Sequence, residues 1–219
     1  MADQQHLELL KQGGTAWNKW RDMHPNIRPD LTSTDLISID LRNANLRGAS
    51  LVSAVLDNAN LSYADLRGAN LSFASFIDAD FKNATISYAN LTYADCSNAN
   101  FQGVDLRDSI LQGATFSNAV LKGVDLRGAD LREVDFRCAD LQGADLSDTD
   151  LRGTDFHGAN LLSVNLINVN MKGANLAHAR IGNTIFSGID FREVRGIETI
   201  KQEGPSSIGK NVIPPDSSA

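Results

Sequence analysis

Large apolar side chains recur at every fifth position through most of this 219-residue chain. From position 31 to position 191, each fifth residue is Leu, Phe, Ile, Met or Cys without exception. A helix repeats near 3.6 residues and a strand at 2, so this period fits neither element. The residue two places earlier is nearly always small or β-branched, as in Ala64 and Val104. The pattern therefore predicts a long array of five-residue units whose large and small apolar side chains both point inward.

Glycine and asparagine concentrate at another position within the five, two residues after the large apolar residue. Eleven of the 17 glycines lie there, for example Gly48, Gly68 and Gly128. These two residue types adopt positive φ at the least cost, and the third residue of a type II turn needs positive φ. The sequence therefore predicts a turn in every five residues, and such regular turning coils the chain into a solenoid.

The phenylalanines indicate how many five-residue units make one coil. One set, Phe76, Phe116, Phe136 and Phe156, has members separated by four units or a multiple of four. A second pair, Phe81 and Phe101, also lies four units apart. A three-sided coil of three units would scatter these rings, whereas a four-sided coil of four units stacks them. We therefore expect an all-β fold, a quadrilateral parallel β-helix of about eight coils.

The individual pentads resemble those of a known family. ADLRG at 64–68, ANLRG at 44–48 and ADLQG at 139–143 are similar to the A(D/N)LxG repeats of pentapeptide repeat proteins, and the resemblance covers residues 30–195. It implies that the β-helix is right-handed. The lead-in TAWNKWRDMHPNIRPDL is similar to that of many cyanobacterial members. We therefore expect a solenoid of the pentapeptide repeat type over 30–195.

The two ends depart from the repeat and predict separate cap segments. Residues 1–29 contain HLELLKQ and TAWNKWRDM, which read as two helices divided by Gly13 and Gly14. Their apolar face comprises Leu7, Leu10, Trp17 and Trp20. Open solenoid ends expose strand edges, so this N-terminal helical cap is expected to cover the first coil. Residues 196–219 are interpreted as a C-terminal cap and flexible tail, which predicts a monomer or a weak end-to-end dimer.

The sequence offers little support for catalysis or cofactor binding. It contains no phosphate-binding loop or dinucleotide fingerprint, since the glycines are spaced by fives and explained by turns. No catalytic residue, metal ligand or cofactor-binding residue is predicted. Cys96 is expected inside the core and Cys138 outside, too far apart for a disulfide. The N-terminus lacks an apolar stretch typical of a signal peptide or membrane span, so a cytoplasmic location without membrane association is expected.

Two outward features are candidate interaction surfaces. The first is aromatic, because four turn positions that usually hold Gly or Asn are occupied by Tyr63, Phe73, Tyr88 and Tyr93. Phe73 and Tyr93 are four units apart and are expected to stack on one wall. Exposed aromatic side chains are enriched at recognition surfaces, although these could also simply pack over the turns and stabilise neighbouring coils.

The second feature is an acidic belt, which we define as the seven aspartates at equivalent positions between 125 and 155. Its members are Asp125, Asp130, Asp135, Asp140, Asp145, Asp150 and Asp155. The net charge is −5 over 125–155, against −3 over 31–124 and +2 over 156–195. Four members precede an arginine by two residues, as in Asp125 and Arg127, so solvated ion pairs are an alternative explanation.

The resulting functional hypothesis is a non-enzymatic solenoid that binds an unidentified protein partner. The family resemblance implies an alternative, since some pentapeptide repeat proteins mimic DNA and inhibit gyrase. The local charge density of the belt matches DNA over only about two base pairs of length. Direct binding of nucleic acid by this acidic chain is not expected. A mechanical spacer, or a fragment of a longer chain, is the third possibility.

Overall fold

The repeat forms a continuous parallel β-solenoid in the computed structural model, which describes residues 3–206. Isolated parallel bridges join the residue before each large apolar position to its equivalent four units later. Asp30 pairs with Ser50, Ser50 with Asn70, and Asn70 with Asn90. Since the chain also turns once in every five residues, each coil has four sides, as the spacing of the phenylalanines predicts.

The corners of the coil have the predicted backbone conformation. A positive φ recurs at every fifth position from 33 to 188, whether the residue is glycine or not. The turn closes by a hydrogen bond across it: the Ala44 amide donates to the Leu41 carbonyl at 3.0 Å. Amides also pair between coils, as where the Leu71 amide donates to the Asn90 carbonyl at 2.7 Å. Local turns and neighbouring coils together satisfy the backbone groups that the apolar core cannot hydrate.

The core is a single column of apolar side chains inside the coil. The large residues of the series are buried from Leu31 to Phe186, and the alanines and valines two places earlier are buried beside them. The Phe116 and Phe136 rings lie 5.5 Å apart and the Phe81 and Phe101 rings 4.5 Å apart. The predicted columns of rings are therefore present. Phe191 differs, because the chain leaves the coil there and the ring is only half-buried.

Two helices cover the first coil. Helix α1 spans Gln4–Lys11 and helix α2 spans Gly14–Met23. Leu10 and Trp17 are fully buried, and the Trp17 Nε1 donates to the Asn45 carbonyl at 2.8 Å. The Asn18 side chain also donates to the Asn43 carbonyl at 2.9 Å and accepts from the Asn45 amide at 2.8 Å. The helices therefore supply hydrogen-bond partners to the edge as well as an apolar cover.

The C-terminal end contains the longer strands. β1 (Asn165–Ile167) pairs in parallel with β3 (Ile185–Ser187), and β2 (Arg180–Ile181) pairs in parallel with β4 (Lys201–Gln202). Short 3-10 helices at Phe191–Glu193 and Ile197–Thr199 lie before β4. Ile197 and Ile200 are partly buried and pack against the core at this end. The part of the predicted tail from 207 to 219 lies outside the described residues.

Candidate interaction surfaces

The four predicted aromatic residues all lie at corners of the coil with positive φ. The φ angles are 60° at Tyr63, 59° at Phe73, 60° at Tyr88 and 55° at Tyr93. Bulky side chains rarely adopt this region, because the Cβ atom crowds the following carbonyl at a cost of roughly 1–2 kcal/mol per residue. Every corner from 33 to 188 shares this conformation, so positive φ belongs to the repeat, and these four corners differ from the others only in their aromatic side chains.

Two of these aromatic residues form one surface, which we call the aromatic corner and define as Phe73 and Tyr93. Their rings are stacked with centroids 5.5 Å apart and an interplanar angle of 26°. The Tyr93 ring extends over the next coil, since a Cβ placed on Gly113 would lie 2.3 Å from Tyr93 Cε1. Even so, Phe73 is 60% exposed and Tyr93 is 51% exposed. The aromatic corner therefore leaves a large apolar area in solvent.

Tyr63 and Tyr88 are exposed but lie elsewhere on the coil. Tyr63 precedes Phe73 by two sides, which is half of a coil, and Tyr88 precedes Tyr93 by one side. The four aromatic residues therefore do not share one wall. The structure brings together only the pair separated by a full coil.

The acidic belt encircles the solenoid instead of forming one patch. Bridge pairing places Asp125 with Asp145, Asp130 with Asp150, and Asp135 with Asp155, each pair on a different side of the coil. The remaining member, Asp140, pairs with Asn160 on the fourth side. Each side of the solenoid consequently presents no more than two carboxylates of the belt.

All seven belt aspartates have the same local structural role. In each, Oδ1 accepts a hydrogen bond from the backbone amide two residues later, as in an Asx turn. The distances are 2.9 Å from the Arg137 amide to Asp135 and 2.9 Å from the His157 amide to Asp155. The other five range from 3.0 to 3.3 Å. Aspartate and asparagine recur at this position because they satisfy the first amide of each turn.

Four belt carboxylates are paired with arginines, as the solvated-pair explanation requires. Arginine Nη2 lies 2.7 Å from Oδ2 in the Arg127–Asp125 pair and 2.6 Å in the three others. Hydrogen bonds from the arginine lower the pKa of Asp125, Asp130 and Asp150 below the usual range. Burial opposes ionisation of Asp135, but hydrogen bonds from Arg137 outweigh it and the pKa is again lowered.

The other three belt carboxylates are bridged to the following coil by asparagine. Asn160 donates to Asp140 at 2.8 Å, Asn165 to Asp145 at 3.0 Å, and Asn175 to Asp155 at 2.9 Å. Lys122 Nζ also lies 3.0 Å from Asp140 Oδ2. Among the belt aspartates of the described chain, only Asp145 and Asp155 therefore lack a cation within salt-bridge distance.

The cysteines and histidines do not assemble into a reactive site. Burial raises the pKa of the Cys96 thiol well above its usual value, while Cys138 is exposed. The His157 and His178 rings lie 5.2 Å apart, and Cys138 Sγ would touch a Cβ placed on Gly158 at 3.4 Å. Among residues 3–206, no group of three or more His, Cys, Asp or Glu side chains could hold a metal ion. No helix in this part of the chain is long and apolar enough to cross a membrane.

Comparison with known proteins agrees with this architecture. The family model for pentapeptide repeats matches residues 30–62, 64–103, 99–137 and 135–173, in eight copies. No curated protein matches the sequence. HetL, a pentapeptide repeat protein involved in heterocyst differentiation regulation in the cyanobacterium Nostoc sp. strain PCC 7120, is 24% identical, with 90% of this chain and 98% of HetL covered at a TM-score of 0.43.

Two further solved structures are similar over part of the chain. A pentapeptide repeat protein of the Arabidopsis thaliana thylakoid lumen is 36% identical, with 48% of this chain and 70% of that one covered at a TM-score of 0.41. Trypsin-treated QnrB1, a plasmid-mediated fluoroquinolone resistance protein, is 20% identical, with 78% and 90% covered at a TM-score of 0.53. The QnrB1 likeness concerns the fold, a right-handed β-helix. With four matched segments across its solenoid, this chain belongs to the pentapeptide repeat family.

Proposed function

We propose that this protein is a non-enzymatic scaffold of about eight coils that binds a protein partner through the aromatic corner. The observation that carries the proposal is the exposed stack of Phe73 on Tyr93, held on backbone with positive φ. A cytoplasmic location is part of the same proposal. Pentapeptide repeat proteins are generally structural or interaction proteins, which supports this class of function.

Packing over the turns explains only part of the aromatic corner. Serine, asparagine and glycine hold the same backbone conformation at Ser53, Asn58 and Gly68, so the turn itself does not need an aromatic ring. Ring stacking contributes about 0.5–1.5 kcal/mol, which is less than the backbone cost of roughly 2–4 kcal/mol for two bulky residues at positive φ. The stack therefore adds no net stability to the fold. Half or more of each residue remains exposed and available to a partner. Exposed aromatic anchors of this kind dominate binding energies at interfaces.

The test compares two double variants in affinity capture from native lysate after crosslinking. Phe73→Ser with Tyr93→Ser removes the aromatic corner, while Tyr63→Ser with Tyr88→Ser removes two aromatic residues from other corners that are at least half exposed as well. We expect the first variant to lose the captured partner and the second to retain it, with unchanged circular dichroism in both. Equal capture by all three proteins would exclude the aromatic corner, and capture of no partner by the wild type would favour a mechanical spacer.

The second candidate function is inhibition or modulation of gyrase by DNA mimicry. The net charge of −7 and the acidic belt favour it. QnrB1 is described as a fluoroquinolone resistance protein, but at 20% identity this likeness supports the fold alone. The ion pairs around the belt weaken the candidate, because a mimic of DNA needs unpaired negative charge along its length.

A supercoiling assay with purified gyrase tests this second function directly. The diagnostic variant changes Asp140, Asp145 and Asp155 to Asn, which keeps the Oδ1 acceptor of each turn and removes three charges. A matched control changes to Asn three aspartates that occupy the same position within the five but lie outside the belt: Asp35, Asp80 and Asp95. DNA mimicry predicts inhibition by the wild type and the control that the belt variant loses. Unaltered supercoiling at micromolar wild-type protein would reject it.

A further inference from the structure

An open cleft of about 420 Å³ lies where the segment after α2 meets the first coils. Its lining includes four arginines from separate parts of the sequence, Arg21, Arg28, Arg47 and Arg67, together with Gly48 and Gly68. None of the residues that line this cleft is acidic. We call it the arginine cleft. Its positive charge contrasts with the negative charge of the chain as a whole.

Arg21 forms the buried part of the arginine cleft and is only 5% exposed. Its Nη1 donates to the Ile27 carbonyl at 2.5 Å and its Nη2 to the Arg47 carbonyl at 2.9 Å. These two bonds fix the guanidinium between the cap and the coil, while its buried Nε has no hydrogen-bond partner among the described residues. The two bonds therefore hold the Arg21 charge in place in the wall of the arginine cleft.

The two outer arginines carry charge that is not neutralised locally. Across residues 3–206, neither Arg28 nor Arg47 has a carboxylate within salt-bridge distance, whereas Arg67 Nη2 lies 2.5 Å from Asp65 Oδ2. Burial opposes ionisation of Asp65, but hydrogen bonds from Arg67 outweigh it and lower the pKa, with a smaller contribution from Arg47. Asp22 lines a neighbouring cleft together with Arg21 and Arg47. The charges of Arg28 and Arg47, about two in total, therefore have no carboxylate paired with them at the cleft.

The floor of the arginine cleft is free of side chains. A Cβ added to Gly68 would meet no atom within 4 Å, and one added to Gly48 would meet only Arg28 Cγ at 4.0 Å. In the next coil the same corner is occupied by Tyr88, which closes this open column. A ligand can therefore approach the backbone between the arginines without displacing protein atoms.

We propose that the arginine cleft binds a phosphate monoester group. A phosphomonoester carries a charge of about −1.5 to −2 near pH 7 and three acceptor oxygens, which match the two unpaired guanidinium groups of Arg28 and Arg47. Planar guanidinium groups bind such oxygens in bidentate geometry. A carboxylate, with a single charge, would leave one of the two outer arginines without a partner. The site is independent of the aromatic corner and of the partner proposed for it.

The experiment measures binding of inorganic phosphate to the full chain by calorimetry at constant ionic strength. The test variant combines Arg28→Gln and Arg47→Gln, both exposed residues whose side chains make no ion pair with the solenoid. The control combines Arg107→Gln and Arg127→Gln, which removes two charges from the same turn position in the column of Arg47, three and four coils away. We expect saturable binding that weakens at least tenfold in the test variant and less than twofold in the control. Absence of saturable binding, or equal weakening in both variants, would overturn the proposal.

Two further arms identify the ligand chemistry and its source. The affinity for O-phosphoserine is expected to fall between pH 7.5 and pH 5 because the second pKa of a phosphomonoester is near 6, whereas sulfate affinity stays constant as a control. Parallel behaviour of the two anions would show that the cleft does not require a dianionic phosphate and would overturn the proposal. Free O-phosphoserine is then compared with a phosphoserine peptide. Tighter binding of the peptide would identify a phosphoprotein as the source, and equal binding a small phosphorylated metabolite.

Discussion

Phe116 lies in the middle of the buried column and shows how strictly one position within the five is constrained. Its side chain is fully buried, with ring centroids 5.1 Å from Phe101 and 5.5 Å from Phe136. Polar residues are tolerated inside only where a backbone acceptor is at hand, as for Thr154, whose hydroxyl donates to the Leu131 carbonyl at 2.8 Å. A carboxylate at the large position would instead need a hydrogen-bond donor, but the nearby amides are already paired, as where the Phe116 amide donates to the Asp135 carbonyl at 2.7 Å.

Replacing Phe116 by Asp is therefore expected to be severely destabilising. The carboxylate would be buried without a partner, and we expect a loss of more than about 4 kcal/mol in the free energy of unfolding. Phe116→Leu is the control, since Leu occupies most equivalent positions, and should cost about 1 kcal/mol. Urea unfolding followed by circular dichroism measures both. A midpoint for Phe116→Asp close to that of Phe116→Leu would show that the side chain does not point inward.

At the scale of the element, the five-residue side is uniform until the last coil, where one residue is added. Asn175 still pairs with Arg195, four units later, but Arg180 pairs with Lys201, one residue beyond four units. The extra residue lies in the segment that contains Gly196, whose φ is 75°. A Cβ on Gly196 would lie 2.5 Å from the Ala177 amide nitrogen and 2.6 Å from its Cα. The return of the chain to pair β4 with β2 thus depends on a glycine in close backbone contact.

Gly196→Ala should therefore loosen the C-terminal end without unfolding the solenoid. The backbone contact adds to the strain of positive φ, so the local cost should be at least about twice the 1 kcal/mol expected for an alanine in this region. Gly68→Ala is the matched control, because φ is 63° there and no atom lies within 4 Å of the added Cβ. Hydrogen exchange across 196–203 should accelerate only in Gly196→Ala. Unchanged protection of the Lys201 amide, which donates to the Ala179 carbonyl at 2.9 Å, would contradict this role.

The regular elements could be predicted from sequence because each is encoded within a few residues. The series that includes Leu71 and Phe76 predicts the coil, and the paired tryptophans of TAWNKW predict the covering helix. The extra residue of the last coil was missed, since the apolar series continues in register to Phe191. The arginine cleft was missed for a different reason: its members come from α2, the connection and two successive coils, so no local pattern joins them.

At the scale of the whole molecule, the negative charge is organised by pairs that lie within the repeat itself. Aspartate before the large apolar residue and arginine after it recur along the solenoid, at Asp40, Asp65, Asp105 and Asp125 among others. Each exposed pair contributes only about 0–1 kcal/mol. Their number makes the collective effect visible as a dependence of stability on pH, because the coils stack in series and their contributions approximately add.

Acidification is expected to destabilise the protein. Pairing lowers the pKa of the folded-state carboxylates relative to the value of about 3.9 in an unfolded chain, with Asp190 at about 2. A carboxylate whose pKa is lower in the folded state stabilises the fold at any pH above its unfolded-state pKa. This contribution is lost as the pH falls through its folded-state pKa. The melting temperature should therefore be nearly constant from pH 7 to about pH 5 and decline between pH 4 and pH 2.

A variant with fewer pairs provides the check on that cause. Changing Asp125, Asp130, Asp135 and Asp150 to Asn retains the four turn hydrogen bonds but removes four carboxylates with lowered pKa. Its decline between pH 4 and pH 2 should be shallower than that of the wild type, measured by calorimetry at fixed salt. Parallel profiles would mean that acid sensitivity arises elsewhere, for instance from repulsion among the remaining cations. The same four carboxylates belong to the acidic belt. A shallower dependence of melting temperature on pH would therefore show that these aspartates act as paired structural groups. Asp145 and Asp155, the two belt members without a paired cation, would then be left to carry any DNA mimicry.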